Sequence, residues 1–140
     1  MRAGKYLYAG LSNRTDQAGI DQLAEALKPY GYEVIPVVLK DCLHLKSACC
    51  YIGDEAILIN RNWVTNFTDY RFIEVADNEP AAANALRVGD TVILPSAFPS
   101  TAAKLRQEGF KVQVLDMTEL MKAESGVTCS SLIFESEPRL

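Results

Sequence analysis

Cys129 and His44 are the two side chains of this sequence whose types could form a nucleophile pair. A thiol beside an imidazole can pass its proton to the ring, and the imidazolium so formed favours the thiolate. Cys129 stands in Gly126-Val127-Thr128-Cys129-Ser130-Ser131-Leu132-Ile133-Phe134-Glu135, with hydroxyls on both sides. His44, the only histidine, stands in Leu43-His44-Leu45-Lys46-Ser47. Arg14, after Leu11-Ser12-Asn13, could hold a carboxylate through its bidentate fork. Each has an ordinary alternative. Free cysteine is commonly a small buried hydrophobe. The histidine could be satisfied or exposed, and Arg14 could pair with Asp16 on the surface. Leu43 and Leu45 alternate with His44, so the ring is expected to face away from the side those leucines bury.

Cys42, Cys49 and Cys50 lack the spacing of a redox CxxC or, even with His44 added, of a zinc site. Cys49 and Cys50 fit packing on one apolar strand. Neither GxGxxG, nor a GxxxxGK phosphate loop, nor a GxSxG elbow occurs, which argues against nucleotide loops and serine α/β-hydrolases.

The elements that must position these residues follow from the hydrophobic pattern. Residues 5–12 read as an aromatic and apolar strand. Ile20, Leu23 and Leu27, with Ala24, recur at helical spacing over 16–29, closed by Pro29 and Gly31. Residues 33–39 form a second strand, in which Pro36 suggests an edge or a bend. Residues 45–51 and 55–59 read as strands about a Gly53-Asp54 hairpin, followed by a short helical turn at 60–66. A strand at 71–75 comes next, then strands at 83–88 and 91–94 about Gly89-Asp90. A helix at 100–108 stopped by Gly109, a strand at 111–115 and a short helix capped by Thr118 follow. The final stretch, β-branched and aromatic, reads as a buried strand with Cys129 at its head.

Strand, turn, strand, helix, strand therefore recurs, with the two hairpins roughly 36 residues apart, within the period of repeat architectures. The first segment has the same form without an opening strand, and the last strand could supply it. The 140 residues, 49% hydrophobic and 23% charged, fit one α/β domain spanning 1–140. A net charge of −4 with scattered basic residues argues against nucleic acid. No apolar run reaches the ~18 residues that span a bilayer, and no signal-peptide pattern opens the chain. A cytoplasmic protein with reduced thiols is expected.

Four segments in order, Gly10-Leu11-Ser12-Asn13-Arg14-Thr15-Asp16-Gln17, Leu43-His44-Leu45-Lys46-Ser47, Glu79-Pro80-Ala81-Ala82-Ala83-Asn84 and Val127-Thr128-Cys129-Ser130-Ser131, resemble the C-terminal half of the dimethylarginine dimethylaminohydrolase and amidinotransferase-like pentein family. The resemblance implies a propeller of ββαβ modules, about three of five, incomplete as a single chain. It implies Cys129 as nucleophile toward a guanidinium carbon and His44 as general acid and base. Arg14 would bind the α-carboxylate of an Nω-substituted arginine, which is hydrolysed to citrulline and an amine. No cofactor or metal is called for. The family's carboxylates that grip the guanidinium have no counterpart in these segments. A homo-oligomer or a separate N-terminal half would therefore complete the site. The alternative is a non-catalytic half-pentein that binds a guanidino or amino-acid ligand or a partner protein.

Overall fold

A parallel pair of strands needs a crossover connection, whereas an antiparallel pair needs only a turn. That difference organises the whole chain. The computed structural model describes residues 1–134 apart from positions 65 and 68. Its strands β1 (Arg2–Ala3), β2 (Tyr6–Leu11) and β3 (Glu33–Val38) form one sheet. Strands β4 (Cys49–Gly53), β5 (Ala56–Ile59) and β6 (Arg71–Glu74) form a second, and β7 (Leu86–Val88), β8 (Thr91–Pro95) and β9 (Lys111–Leu115) a third. In every sheet the first pair is antiparallel and the second parallel. The crossovers run through α1 (Gln17–Leu27) in the first module and α3 (Pro99–Gln107) in the third. The middle crossover shows no helix among the described residues. The chain is thus three successive modules of one plan, an antiparallel pair followed by a crossover to a parallel strand, with a helix in the first and third crossovers.

Local chemistry accounts for the elements. Asp16 caps α1 by accepting from the Gly19 amide at 2.8 Å, and a 3-10 turn over Lys28–Tyr30 ends at Gly31, whose φ is 75°. Pro36 is tolerated because β3 is a sheet edge. The apolar run of β5 is buried throughout, and its alternating side chains feed two cores. Ile57 and Ile59 pack with Tyr8, Val37 and Phe67 of the first core. Ala56 and Leu58 pack with Val92, Leu94 and Leu105 of the second. The middle module is therefore a shared wall.

A guanidinium seals the other seam, where β4 lies against β7. Arg87 donates from Nη1 to the Ile52 carbonyl and from Nε to the Gly89 carbonyl, both at 2.7 Å. It occupies the space that a Cβ on Gly53 would need, and Gly53 has φ 84°.

Several elements depart from the sequence-based expectations. The opening strand of the first module is present as β1, so the last stretch is not needed to supply it. Residues 45–48 are a short helix, α2 (Leu45–Ala48), because Leu45 and Ala48, three apart, both enter the core. The β4–β5 turn is Asp54-Glu55, both with positive φ, rather than Gly53-Asp54. Residues 80–83 form a 3-10 turn (Pro80–Ala83) before β7. Residues 60–64 form a turn that bridges Leu39 to Val64 rather than a helical segment. In α4 (Thr118–Lys122) Thr118 is the first helical residue rather than the cap: Met117 holds the N-cap position without a side-chain bond, and the Asp116 carboxylate before it accepts from the Thr118 amide at 3.0 Å.

The largest difference is the Cys129 stretch, which is a turn over residues 127–130 followed by no regular structure through Phe134. Position 65 in the predicted turn and Glu135 at the end of the predicted strand lie outside the described residues. No helix among the described residues is long and apolar enough to cross a membrane.

Candidate active site

The connections between modules converge on one open cavity of about 530 Å³. His44 and Leu43 reach it from the connection between the first and second modules, Asn84 from that between the second and third, and Gly126 from the segment after α4. These segments follow or precede strands, so the sheets fix where they begin and end.

Asn84 is the pivot. It ends the 3-10 turn Pro80–Ala83 and is only 8% exposed. Its Oδ1 accepts from the Thr128 amide at 3.0 Å, and its Nδ2 donates to the Cys129 sulfur at 2.9 Å. Gly126 lies directly against the carboxamide, where any Cβ would collide with it. The Cys129 loop is also braced internally. The Ser130 amide donates to the Gly126 carbonyl at 3.2 Å, the Ser125 and Ser130 hydroxyls meet at 2.8 Å, and the Ser131 hydroxyl donates to the Val127 carbonyl at 2.7 Å. Hydroxyls that bond their own neighbourhood compete with a strand ladder, which is why this β-rich composition does not make a strand. The result presents Cys129 as an exposed thiol rather than a buried hydrophobe.

The turn that carries Asn84 is anchored from below by Glu79, 4% exposed. Its carboxylate accepts from the Ser100 amide at 2.9 Å and the Thr101 amide at 2.7 Å, at the start of α3. Phe98, at the N-cap of α3, offers no side-chain bond, so Glu79 takes that role from a distant position in sequence. Burial alone would raise its carboxyl pKa. The donors of Thr101 and Ser100 outweigh that and hold it below the ordinary carboxylate value. On the upper side, Asn60 donates to the Pro80 carbonyl at 3.1 Å.

His44 is exposed, precedes α2 and lines the cavity, whereas Cys129 is not among the lining residues, and no hydrogen bond links the two. Leu45 is buried as expected, but Leu43 is 49% exposed and lines the cavity beside His44, so the two leucines do not share a buried side.

Arg14 sits outside the cavity proper. Its amide donates to the Ser12 hydroxyl at 3.1 Å, and that hydroxyl donates to the Leu43 carbonyl at 3.0 Å. Ser12 and Asn13, though not Arg14, line a neighbouring hollow that shares Cys42 and Leu43 with the main cavity. The surface pair with Asp16 does not form, since Asp16 caps α1.

The other thiols are less exposed than Cys129. Burial pushes Cys42 up, Cys50 up to about 12, and Cys49 higher still. Among the described residues no three histidine, cysteine or acidic side chains gather as a metal site. Asn84, Glu79 and Gly126 were not among the residues singled out for chemistry, although the first two bound one of the four segments quoted above. The available signal was a glutamate and an asparagine bracketing a Pro-Ala run, polar ends on an apolar stretch.

No protein-family model matches the chain. The dimethylarginine dimethylaminohydrolase of Pseudomonas aeruginosa is 34% identical over 136 residues, covering 96% of this chain and 54% of that protein. The protein of the same name from Streptomyces coelicolor is 32% identical over 134 residues, covering 94% of this chain and 51% of its own length. A solved structure of a cysteine-to-serine variant of the Pseudomonas aeruginosa enzyme, complexed with citrulline, superposes with a TM-score of 0.87 at 32% identity. That match covers 96% of this chain and 53% of the other. A histidine-to-glycine variant of a dimethylarginine dimethylaminohydrolase, as an adduct with S-methyl-L-thiocitrulline, gives a TM-score of 0.87 at 33% identity, with 96% and 54% covered. The chain spans about half the length of the curated relatives it matches.

Proposed function

This chain is a homologue of the dimethylarginine dimethylaminohydrolases over about half their length and shares their fold, and from that premise we propose that it carries the thiol chemistry of Nω-substituted arginine hydrolysis. One observation supports this reading most: the exposed Cys129 sulfur is held by Asn84, whose side chain fronts the same cavity as His44. The Cys129 thiolate attacks the guanidinium carbon and forms a C–S bond. The amine departs as its C–N bond breaks, taking a proton from the His44 imidazolium. Water then adds to the same carbon and gives a proton to His44. The C–S bond breaks, releasing citrulline and restoring the thiolate. Arg14, outside that cavity, is the residue whose bidentate fork would take the substrate α-carboxylate. The relatives' complexes, a cysteine variant with citrulline and a histidine variant with S-methyl-L-thiocitrulline, support the same pairing of residue types.

The test is citrulline release from methylated arginines, with Cys129→Ala as the control. Release from the chain and none from the control is the expected result. A folded sample that releases no citrulline, alone or supplemented with a complementary half, removes the reading. A faster test of the thiol uses a haloacetamidine, which should label Cys129 ahead of Cys42, Cys49 and Cys50. Equal labelling would sink the activated-nucleophile idea.

A second reading has its own observation. Among the described residues Glu124 is the only carboxylate lining the cavity, so a bound guanidinium would lack the paired acids that neutralise it. In that reading the chain is a non-catalytic half that binds an amino-acid ligand or a partner protein. Completion by a second copy or a separate half would reconcile the two. The exposed Val88, Leu132, Ile133 and Phe134 offer apolar surface for it. Light scattering decides the self-association arm, with a monomer at micromolar concentration counting against a second copy.

A further inference from the structure

We infer that Asn84 is a positioning residue whose two ends have separable tasks: Oδ1 fixes the Cys129 loop and Nδ2 aims and solvates the reactive sulfur. The inference rests on the reading of Cys129 as the nucleophile and names what holds it ready. Three contacts carry it. The Oδ1 acceptor takes the Thr128 amide, buried and one residue before the thiol. The Nδ2 donor meets Sγ at 2.9 Å. Gly126 leaves the room that the carboxamide needs to do both. An asparagine suits the task because its amide carries an acceptor and a donor a fixed distance apart. The glutamate anchor at the start of α3 and the Asn60 bond to Pro80 hold the backbone beneath it. A hydrogen bond to a charged group is worth more than one to a neutral group, so the Nδ2 donor favours the sulfur as thiolate over thiol.

Asn84→Asp divides the two tasks, because the carboxylate keeps the acceptor for Thr128 and replaces the donor with an oxygen facing Sγ. The experiment follows iodoacetamide alkylation of Cys129 by peptide mass across a range of pH, in wild type, Asn84→Asp and Asn84→Ala. The titratable groups that line the cavity with Asn84, namely His44, Cys42 and Glu124, are unchanged among the three. Near neutral pH, alkylation of Asn84→Asp is expected to fall by roughly tenfold or more, the factor that ~1.4 kcal/mol of lost hydrogen bonding represents. The deficit should narrow as the pH rises, with thermal stability close to wild type. Asn84→Ala, without the repelling carboxylate, should lie between. Wild-type alkylation of Asn84→Asp at every pH overturns the inference.

Should Asn84→Asp fail to fold, Gly126→Ala pushes the carboxamide aside with Asn84 still present. It is expected to slow alkylation as well, and an unchanged rate again overturns the inference. Alkylation needs no substrate. A chain that releases no citrulline yet shows the Asn84 effect loses the hydrolase reading and keeps this one.

Discussion

Glu79→Gln tests the anchor on which the candidate site stands. The carboxylate makes two charge-assisted bonds to the Ser100 and Thr101 amides at an otherwise uncapped helix start. A glutamine keeps one acceptor and turns an NH₂ group toward the other amide. One bond is lost, and a buried N–H is left without a partner. A bond to a charged group is worth about 1.5–3 kcal/mol and an unsatisfied buried donor costs about 1–3. A net loss of about 3 kcal/mol is therefore expected at neutral pH. With roughly 3–5 °C per kcal/mol at this chain length, Tm should fall by about 10 °C in a circular-dichroism melt. The pH dependence has a definite sign. The folded-state carboxyl lies below its ordinary value, so its contribution is full above the unfolded value of about 4.3 and is lost as pH falls through the folded one. The gap between wild type and variant should narrow in acid. A gap below about 1 kcal/mol at neutral pH, or one that does not narrow in acid, would refute the role given to Glu79.

Gly53→Ala places a side chain at φ 84° and into the Arg87 guanidinium, and should cost about 2–4 kcal/mol in urea unfolding through strain and the lost bond to Ile52. Leu94→Ala empties a fully buried position in the second core and should cost about 2–5 kcal/mol with an unchanged m-value. Tyr8→Phe removes the hydroxyl that meets the Tyr70 hydroxyl at 2.8 Å and should cost about 1 kcal/mol in the same assay.

Periodicity exposed the strands and helices that bury a face. Ile20 marks α1, and Val92 with Leu94 marks β8, because burial at a fixed period is written in hydrophobic spacing. It missed elements whose cause is tertiary or is set by hydroxyls. Two residues, Arg2 and Ala3, are too short a run to show a period, yet they pair with Leu7 and Tyr6 as the opening strand. The alternation of 45–51 fits a strand, but burying both Leu45 and Ala48 demands a helical turn. Val127, Ile133 and Phe134 have strand propensity, and the bonds of Thr128, Ser130 and Ser131 settle a turn instead. His44 and Cys129 stood out because imidazole and thiol are rare chemistries in this chain. Asn84 and Glu79 are common types whose importance lies in partners dozens of residues away, and a single sequence does not display pairings.

Every side chain assigned to the site lies on a connection, outside the strands: Arg14 after β2, His44 before β4, Asn84 before β7, and Cys129 after the third module. Reactivity and architecture are therefore under separate control. Slipping a strand by one position would turn a buried face outward and undo a core. Doubling the length of a connection costs only about 0.6 kcal/mol of closure entropy. Pocket width, rim charge and reach toward a ligand can thus be retuned one loop at a time, with the three sheets left as a reusable chassis.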